Sequence, residues 1–303
     1  ANNLWAAPEA GQKLESIKLA NPIAETQAWM RRSLMPGLVE VFKRNLSRGF
    51  KNLAIFESGH VFIPGSQTGS THIPGLGVKP GDDVLADLNA GIPFQPRYVA
   101  GLFAGNEHAE MPGTTARAYD WRDALDAVQL IADATGTEIS VVQGTHQAFH
   151  PGRTAELRNS EGETLGFAGE LHPKLLKDND LPERTCAFEV DFTRMLNDKS
   201  DRVEAYGIFG YPATNQDVAL IVDATVPAAE ISAALAEGAG DLLEDIRVFD
   251  DYRGVGIEEG KKSVAFALRF RADDRTLTAE EASASREAAI AVAAERFGAV
   301  LRG

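Results

Sequence analysis

The sequence predicts an α+β protein made of two domains, and the C-terminal third of the chain predicts this most clearly. Apolar residues alternate with other residues over 217–222 and again over 264–270, the period of strands that are covered on one face. A helical pattern follows each of these segments, which gives the order strand, helix, strand, strand, helix, strand. That order is the ferredoxin-like βαββαβ arrangement, a frequent RNA-binding scaffold.

The boundaries of these C-terminal elements follow from residues that start and stop helices. Proline is favoured in a first helical turn, so the first helix begins near Pro227, and it ends at the glycines near Gly238. The second helix follows Thr278, with Glu281 at the spacing of a capping box. The predicted elements are strand 217–222, helix 227–238, strand 242–251, strand 264–270, helix 278–297 and strand 300–302.

The N-terminal two thirds of the chain predict a predominantly antiparallel sheet with helices. Leu38, Phe42 and Leu46 recur at helical spacing within a helical region over 30–48 that Pro36-Gly37 interrupts, and the Gly- and Pro-rich stretch 65–91 predicts a loop. The remaining elements are strands 53–56, 61–63, 98–103, 139–142, 155–158, 165–170 and 186–192, and helix 121–135. The polar stretch 197–207 predicts a linker between domains 1–200 and 207–303.

Composition narrows the class of protein. The chain has 303 residues, a hydrophobic fraction of 44% and a net charge of −14, so generic binding to polyanions is disfavoured and any RNA contact has to be local. No segment approaches the roughly 20 apolar residues of a membrane span, and residues 1–10 do not read as a signal peptide. We therefore expect a cytoplasmic protein that contacts no membrane. The single cysteine, Cys186, is expected to be a buried hydrophobic residue.

Five ordered motifs of the C-terminal domain resemble a known family. They are Tyr211-Pro212-Ala213 leading to Asp217-Val218-Ala219-Leu220, Phe249-Asp250-Asp251-Tyr252-Arg253-Gly254, Gly260-Lys261-Lys262-Ser263-Val264-Ala265, Arg275-Thr276-Leu277-Thr278 with Glu280-Glu281, and terminal Leu301-Arg302. The domain is similar to the ferredoxin-fold anticodon-binding domain that closes the β subunit of bacterial phenylalanyl-tRNA synthetase. It departs at Asn215-Gln216, where many relatives carry arginines.

The N-terminal domain resembles the catalytic-like module of the same β subunit. This resemblance rests on the following motifs: Asn21-Pro22-Ile23 with Glu25, the run from Met30 to Leu38, Asn45 with Arg48, Phe56-Glu57-Ser58-Gly59 with Val61-Phe62, His150-Pro151-Gly152-Arg153, and Gly166-Phe167-Ala168-Gly169-Glu170-Leu171-His172-Pro173. The resemblance implies a class II synthetase-like antiparallel sheet module without an active site, so we expect no catalytic residues and no adenylation by this chain alone.

The resemblance also implies partners and cofactors. The holoenzyme would be an (αβ)₂ heterotetramer that joins phenylalanine to tRNA(Phe) with ATP and magnesium, while this chain would supply an interface with the α subunit and would bind the anticodon loop. We expect no cofactor and no metal ligand in this chain, because the family's magnesium ligands and its editing domain would lie upstream. The alternative is a stand-alone pseudo-synthetase that acts as a regulatory or RNA-binding module.

Two sets of residues carry these implied contacts. The RNA-binding positions that match the family are Ala219, Asp250, Tyr252, Ser263 and Arg302. A tyrosine can stack on a base and the small residues leave room for a base to lie flat; the alternative is that Asp250 and Tyr252 close a turn. The predicted interface with the α subunit comprises Met30, Arg31, Arg32, Leu34, Leu38 and Phe42. Core packing is the alternative for the apolar residues, and phosphate binding is the alternative for the arginines.

The sequence gives little evidence of a metal site or of a catalytic or nucleotide-binding motif. His146, His150 and His172 allow a metal triad, although the glycines and proline around the first two predict a loop. Arg153 and Glu170 predict a structural ion pair. The sequence contains no phosphate-binding loop, no nucleophile elbow and no dinucleotide fingerprint.

Overall fold

The computed structural model describes residues 2–9, 11–12, 14–65, 69–70, 72–108, 111–199 and 210–302. The chain divides into two units, Ala1–Val203 and Glu204–Gly303. Much of the predicted linker 197–207 lies outside the described residues. No helix in the part of the chain that the structure describes is long and apolar enough to cross a lipid bilayer.

The first unit is built on a six-stranded sheet in the order β1-β2-β6-β5-β4-β3, in which every neighbouring pair is antiparallel. Its strands are β1 Leu53–His60, β2 Arg97–Ala104, β3 Ser140–Gln143, β4 Phe149–Arg158, β5 Thr164–Leu171 and β6 Cys186–Asp191. Its helices are α1 Asn2–Ala6, α2 Met35–Ser47, α3 Asp82–Ala90, α4 Trp121–Thr135, α5 Pro173–Asp178 and α6 Phe192–Asn197. The predicted antiparallel α+β sheet is confirmed.

Helices α2 and α4 cover opposite faces of this sheet, because successive side chains of a strand point to opposite sides. In β2, Ala100 and Leu102 belong to the core cluster that contains the apolar face of α2. The neighbouring Val99 belongs to a second cluster, together with Ala124 and Val128 of α4. Both faces of strand β2 are therefore buried within the unit.

Three predictions for the first unit are wrong. Helix α2 begins at Met35, so residues 30–34 are not helical, and Pro36 lies in its first turn instead of interrupting it, where the missing N–H of proline costs nothing. The predicted loop 65–91 contains helix α3, which opens with Asp82 and Asp83, carboxylates that favour a helix N-terminus. In the predicted strand 61–63, Ile63 forms an isolated bridge with Phe94.

The second unit confirms the predicted βαββαβ order. It consists of β7 Thr214–Asp223, α7 Ala228–Ala239, β8 Leu243–Tyr252, β9 Lys261–Phe270, α8 Ala279–Phe297 and β10 Val300–Leu301. The strands form an antiparallel sheet in the order β10-β7-β9-β8. Thr278 accepts a hydrogen bond from the backbone of Glu281, whose side chain accepts one from the backbone of Thr278, so the predicted capping box is present.

One face of the second sheet packs against the helices of the unit. Val218 and Leu220 of β7 and Phe266 of β9 are buried in one core cluster with Ile231 of α7 and Ala289 of α8. The intervening strand residues form the opposite face, called here the outer face.

Candidate nucleic-acid interface

Strand pairing gathers the predicted RNA-binding residues on the outer face. Ala219 of β7 pairs with Ala265 of β9, and Ala265 pairs with Asp250 of β8. One step along the same face, Ser263 of β9 pairs with Tyr252 of β8. The backbone N–H of Arg302 donates to the carbonyl oxygen of Ala219 at 2.8 Å. All five residues therefore lie at one end of one sheet face.

A β-bulge in β8 produces this arrangement. Val248 pairs with the core residue Phe266, and strict alternation would turn residues 250 and 252 toward the core as well. The register shifts between Val248 and Asp250, so that Asp250 pairs with the outer-face residue Ala265. Such a bulge inserts one residue and redirects the side chains that follow it. It leaves Phe249 with 53% of its surface exposed on the edge strand.

Arg302 and Tyr252 lie at the centre of this group of residues. The guanidinium carbon of Arg302 lies 5.2 Å from the centre of the Tyr252 ring, within the range of a cation–π contact. Its Nη1 atom lies 3.4 Å from Oγ of Ser263 and donates to it. A cation, an aromatic ring and a hydroxyl group are thus held together, which suits contacts with a phosphate, a base face and a base edge.

The expectation that small residues leave an open platform for a base is wrong at Ser263 and at its neighbour on the same face, Ala265. Ser263 is 2% exposed and Ala265 is 7% exposed. The reason lies in the flanking long side chains, because Arg302 reaches across the sheet to Ser263 and stacks on Tyr252. A base that is to lie flat here has to displace the Arg302 side chain or stack on its outer side.

Tyr252 also closes a turn, which was the alternative prediction for this residue. Its hydroxyl group donates to the carbonyl oxygen of Val255 at 3.2 Å. A Cβ atom on Gly254 would lie 2.8 Å from the same hydroxyl oxygen, so any larger residue at this point would displace the Tyr252 ring. The contact fixes the position of the ring, and Tyr252 therefore closes the turn and presents an oriented aromatic ring.

The predicted subunit-interface segment is divided between core and surface. Leu34, Leu38 and Phe42 are buried in the core of their own unit, which is the core-packing alternative, and they are not available to a partner chain. Arg31 donates from Nη1 to Oε1 of Glu57 at 2.6 Å. Met30, Arg31 and Arg32 are partly exposed.

Four apolar side chains in or beside this segment are exposed one by one. Phe56 is 77% exposed on the edge strand β1, and Val41, Phe50 and Trp29 are also exposed. Alternation along β1 turns Phe56 away from the α2 face that buries Leu53.

The three histidines have separate structural roles. In His146, His150 and His172 the ring nitrogen Nδ1 accepts a hydrogen bond at 3.1 Å from the backbone N–H two residues further along the chain. Burial lowers the pKa of His146 to about 4, which keeps its ring neutral. Across the described residues, no group of three or more His, Cys, Asp or Glu side chains could hold a metal ion, so the triad that their spacing allows is not formed.

The predicted ion pair between Arg153 and Glu170 is present, and a second arginine, Arg184, also pairs with Glu170. Arg153 contacts Oε2 of Glu170 at 2.5 Å, and Arg184 donates to Oε1 at 2.9 Å. Glu170 is 3% exposed, whereas both arginines reach the surface. Cys186 is buried, and burial raises the pKa of its thiol to about 12, as expected of a structural cysteine.

Comparison with known proteins decides the family. The Phenylalanyl tRNA synthetase beta chain CLM domain matches residues 1–192, and the Ferredoxin-fold anticodon binding domain matches residues 210–302. The chain belongs to the phenylalanyl-tRNA synthetase β-chain family. This confirms the resemblance of both parts of the sequence.

Relatives in this family align over nearly the whole chain. The phenylalanine–tRNA ligase β subunit of Leifsonia xyli subsp. xyli is 47% identical over 303 residues, which cover 99% of this chain and 36% of that protein. The β subunit of Streptomyces avermitilis is 45% identical over 294 residues, covering 96% of this chain and 35% of that protein. The chain therefore spans about a third of the length of the curated relatives it matches.

Two features of this face are not predicted by the sequence, the β-bulge at Phe249 and the contact between Arg302 and Tyr252. A local signal for the bulge exists, because the apolar Phe249 directly follows Val248 and breaks the alternation of Ile246, Arg247 and Val248. The Arg302 contact joins residues 50 positions apart and has no local signal.

Proposed function

We propose that this chain is the C-terminal part of a phenylalanine–tRNA ligase β subunit, and that the outer face of its second unit binds the anticodon loop of tRNA(Phe). The observation that carries the proposal is the convergence of Tyr252, Ser263 and Arg302 at one end of the sheet. The relatives from Leifsonia xyli subsp. xyli and Streptomyces avermitilis carry the name of that ligase subunit.

The proposed contacts use stacking and base edges. A base that stacks on Tyr252 gains about 1 to 3 kcal/mol. Arg302 then pairs with a neighbouring phosphate or covers the outer face of the base, while Asp250 and Ser263 accept from or donate to base edges. Because the chain carries a net charge of −14, such local contacts, and not general attraction to phosphates, give the affinity.

The proposed reaction takes place in an (αβ)₂ heterotetramer in the cytoplasm, in which the α subunit uses ATP and magnesium to attach phenylalanine to tRNA. This chain contributes no catalytic step. In a test of the isolated chain, phenylalanine-dependent ATP–pyrophosphate exchange stays at background; exchange above background contradicts this part of the proposal.

The proposed contact with the α subunit uses the exposed apolar side chain of Phe56 on the edge strand β1, with Met30 and Arg31 beside that strand and further exposed apolar residues at Trp29, Val41 and Phe50. Large apolar side chains that are exposed in the separate chain become buried when an interface forms. When the chain is co-expressed with the cognate α subunit, native mass spectrometry should detect a heteromer that Phe56→Asp disrupts. A chain that stays monomeric beside the α subunit favours the stand-alone RNA-binding alternative.

Fluorescence anisotropy with the anticodon stem-loop of tRNA(Phe) tests the RNA contact. Tyr252→Ala should weaken binding about tenfold or more, through loss of a stacking platform. Tyr211→Ala is the matched control, because Tyr211 is an exposed tyrosine beside Arg271, at the opposite end of β9 from Ser263. Equal affinities of the wild type and Tyr252→Ala refute the proposed interface.

A further inference from the structure

A cleft in the first unit has no role in the proposed RNA contact. Its volume is about 190 Å³, below the range of about 300 to 1,000 Å³ that is typical of drug-sized ligands. Trp5, Ile63, Phe149 and Phe167 supply apolar wall. The dimensions and the walls suit a small metabolite with an apolar part.

Charged side chains of both signs line the same cleft. Arg32 and Arg194 bring two cations, and Glu189 and Asp191 bring two carboxyl groups. Strand β6 supplies Glu189 and Asp191 at alternate positions, so both side chains point to the same face of the sheet. Asp191 also accepts from the backbone N–H of Arg194 at 3.0 Å. Two cationic and two acidic side chains therefore line the cleft.

The position of Glu189 is fixed by the chain segment that carries Arg32. Its Oε1 atom accepts from the backbone N–H of Leu34 at 2.7 Å and from Oγ of Ser33 at 3.1 Å. The carboxyl group is therefore bound by the two residues that follow Arg32 in the chain. Despite this proximity, Arg32 and Glu189 form no ion pair with each other among the described residues.

Both groups retain unused hydrogen-bonding capacity. The Nε atom of Arg32 is buried and has no hydrogen-bond partner among the described residues, and a buried unpaired donor carries a free-energy cost that a ligand acceptor can remove. Glu189 accepts from Ser33 and from the backbone N–H groups of Leu34 and Met35, and because a carboxylate group has about four acceptor positions, it can still accept from a ligand donor.

We propose that this cleft binds a small zwitterion, an α-amino acid with an apolar side chain. The carboxylate group of the ligand would accept from Arg32, its ammonium group would donate to Glu189, and its side chain would lie against the apolar wall. A simple anion would meet the carboxyl groups of Glu189 and Asp191, and a simple cation would meet Arg32 and Arg194. A zwitterion complements both signs at once.

The test uses the 303-residue chain at pH 8, where the carboxyl group of Glu189, whose pKa is raised to about 7, is ionised, with L-leucine and L-phenylalanine as probes. Trp5 lies in the wall of the cleft, so its fluorescence should change in a saturable way, and isothermal titration calorimetry gives the affinity. Isocaproate has the carboxylate group and side chain of leucine without the ammonium group, and isoamylamine has the ammonium group without the carboxylate. Each analogue should bind about tenfold or more weakly than L-leucine.

Variants assign the binding to the cleft. Glu189→Gln keeps an oxygen for the Leu34 N–H and removes the charge, so it should weaken L-leucine binding about tenfold or more, and Arg32→Gln should do the same. Glu40→Gln, at an exposed position of α2, is the matched control and should bind as the wild type does. Circular dichroism identifies any variant that fails to fold.

Three results would overturn the proposal. They are the absence of a saturable signal with either amino acid at about 10 mM, binding of the acid or amine analogue as tight as that of L-leucine, and unchanged binding by folded Glu189→Gln and Arg32→Gln. The anticodon stem-loop titration is a separate readout, so failure of the amino-acid site leaves the RNA proposal to its own test.

Discussion

Glu189 should make the first unit less stable as the pH rises, and Glu189→Gln should remove this dependence. Withdrawal of the carboxyl group from bulk water raises its pKa from 4.5 to about 7, although hydrogen bonds from Leu34 and Ser33 favour the charged form. The charged form is therefore the costly one in the folded chain. Glutamine has a similar shape and stays neutral.

The sign and the magnitude follow from linkage. Below pH 4.5 the carboxyl group is protonated in both the folded and the unfolded chain, so it makes no difference to stability. Between pH 4.5 and 7 the folded chain binds more protons than the unfolded chain, and the free energy of unfolding falls as the pH rises. The difference of about 2.5 in pKa corresponds to about 3 kcal/mol lost by pH 8.

Tryptophan fluorescence can follow this unit alone, because Trp5, Trp29 and Trp121 are the only tryptophans of the chain and all lie in it. Urea unfolding at pH 4.5 and at pH 8 gives the free energy of unfolding for each protein. Glu189→Gln should match the wild type at pH 4.5 and exceed its stability by about 3 kcal/mol at pH 8. A constant difference between the two proteins at both pH values refutes the reasoning.

Three further outcomes test other parts of the structure. Thr278→Ala removes the capping box of α8 and should lower the unfolding free energy of the second unit by about 1 kcal/mol. Hydrogen exchange of the α8 backbone amides measures this loss, and Thr276→Ala, at an exposed position outside the helix, is the control. Glu170→Gln weakens two ion pairs and should cost about 1 to 2 kcal/mol in tryptophan-detected urea unfolding, discounted because both arginines are partly solvated; no loss would mean that the pairs are solvent-screened. Gly254→Ala introduces a Cβ atom 2.8 Å from the Tyr252 hydroxyl oxygen and should displace the ring. Fluorescence anisotropy should then show weaker binding of the anticodon stem-loop, as for Tyr252→Ala. Unchanged affinity would mean that binding does not depend on the position of the ring.

The order of the strands and helices in the second unit could be predicted because its signals are local. Alternation in β7 and β9, the proline before α7 and the capping box of α8 each act over a few residues. In the first unit the same logic located α4, whose predicted bounds 121–135 match Trp121–Thr135. It failed for α3, where nearby glycines and prolines outweighed a short amphipathic segment.

Features that depend on long-range packing could not be predicted. The apolar stripe of Leu34, Leu38 and Phe42 was compatible with a core and with a subunit interface, and only the position of α2 on the sheet distinguishes them. The prediction that Ser263 is open failed because Arg302, far away in sequence, covers it. The outward position of Tyr252 depends on a register shift that strict alternation does not contain.

Aminoacylation by the assembled ligase tests the central claim most directly. An enzyme composed of the cognate α subunit and a full-length β subunit with Tyr252→Ala should show kcat/KM for tRNA(Phe) reduced about tenfold or more. Its phenylalanine-dependent ATP–pyrophosphate exchange should be unchanged, because the lost contact concerns the tRNA alone. A wild-type kcat/KM for tRNA(Phe) in this variant would contradict the assignment of the outer face as the anticodon-binding surface.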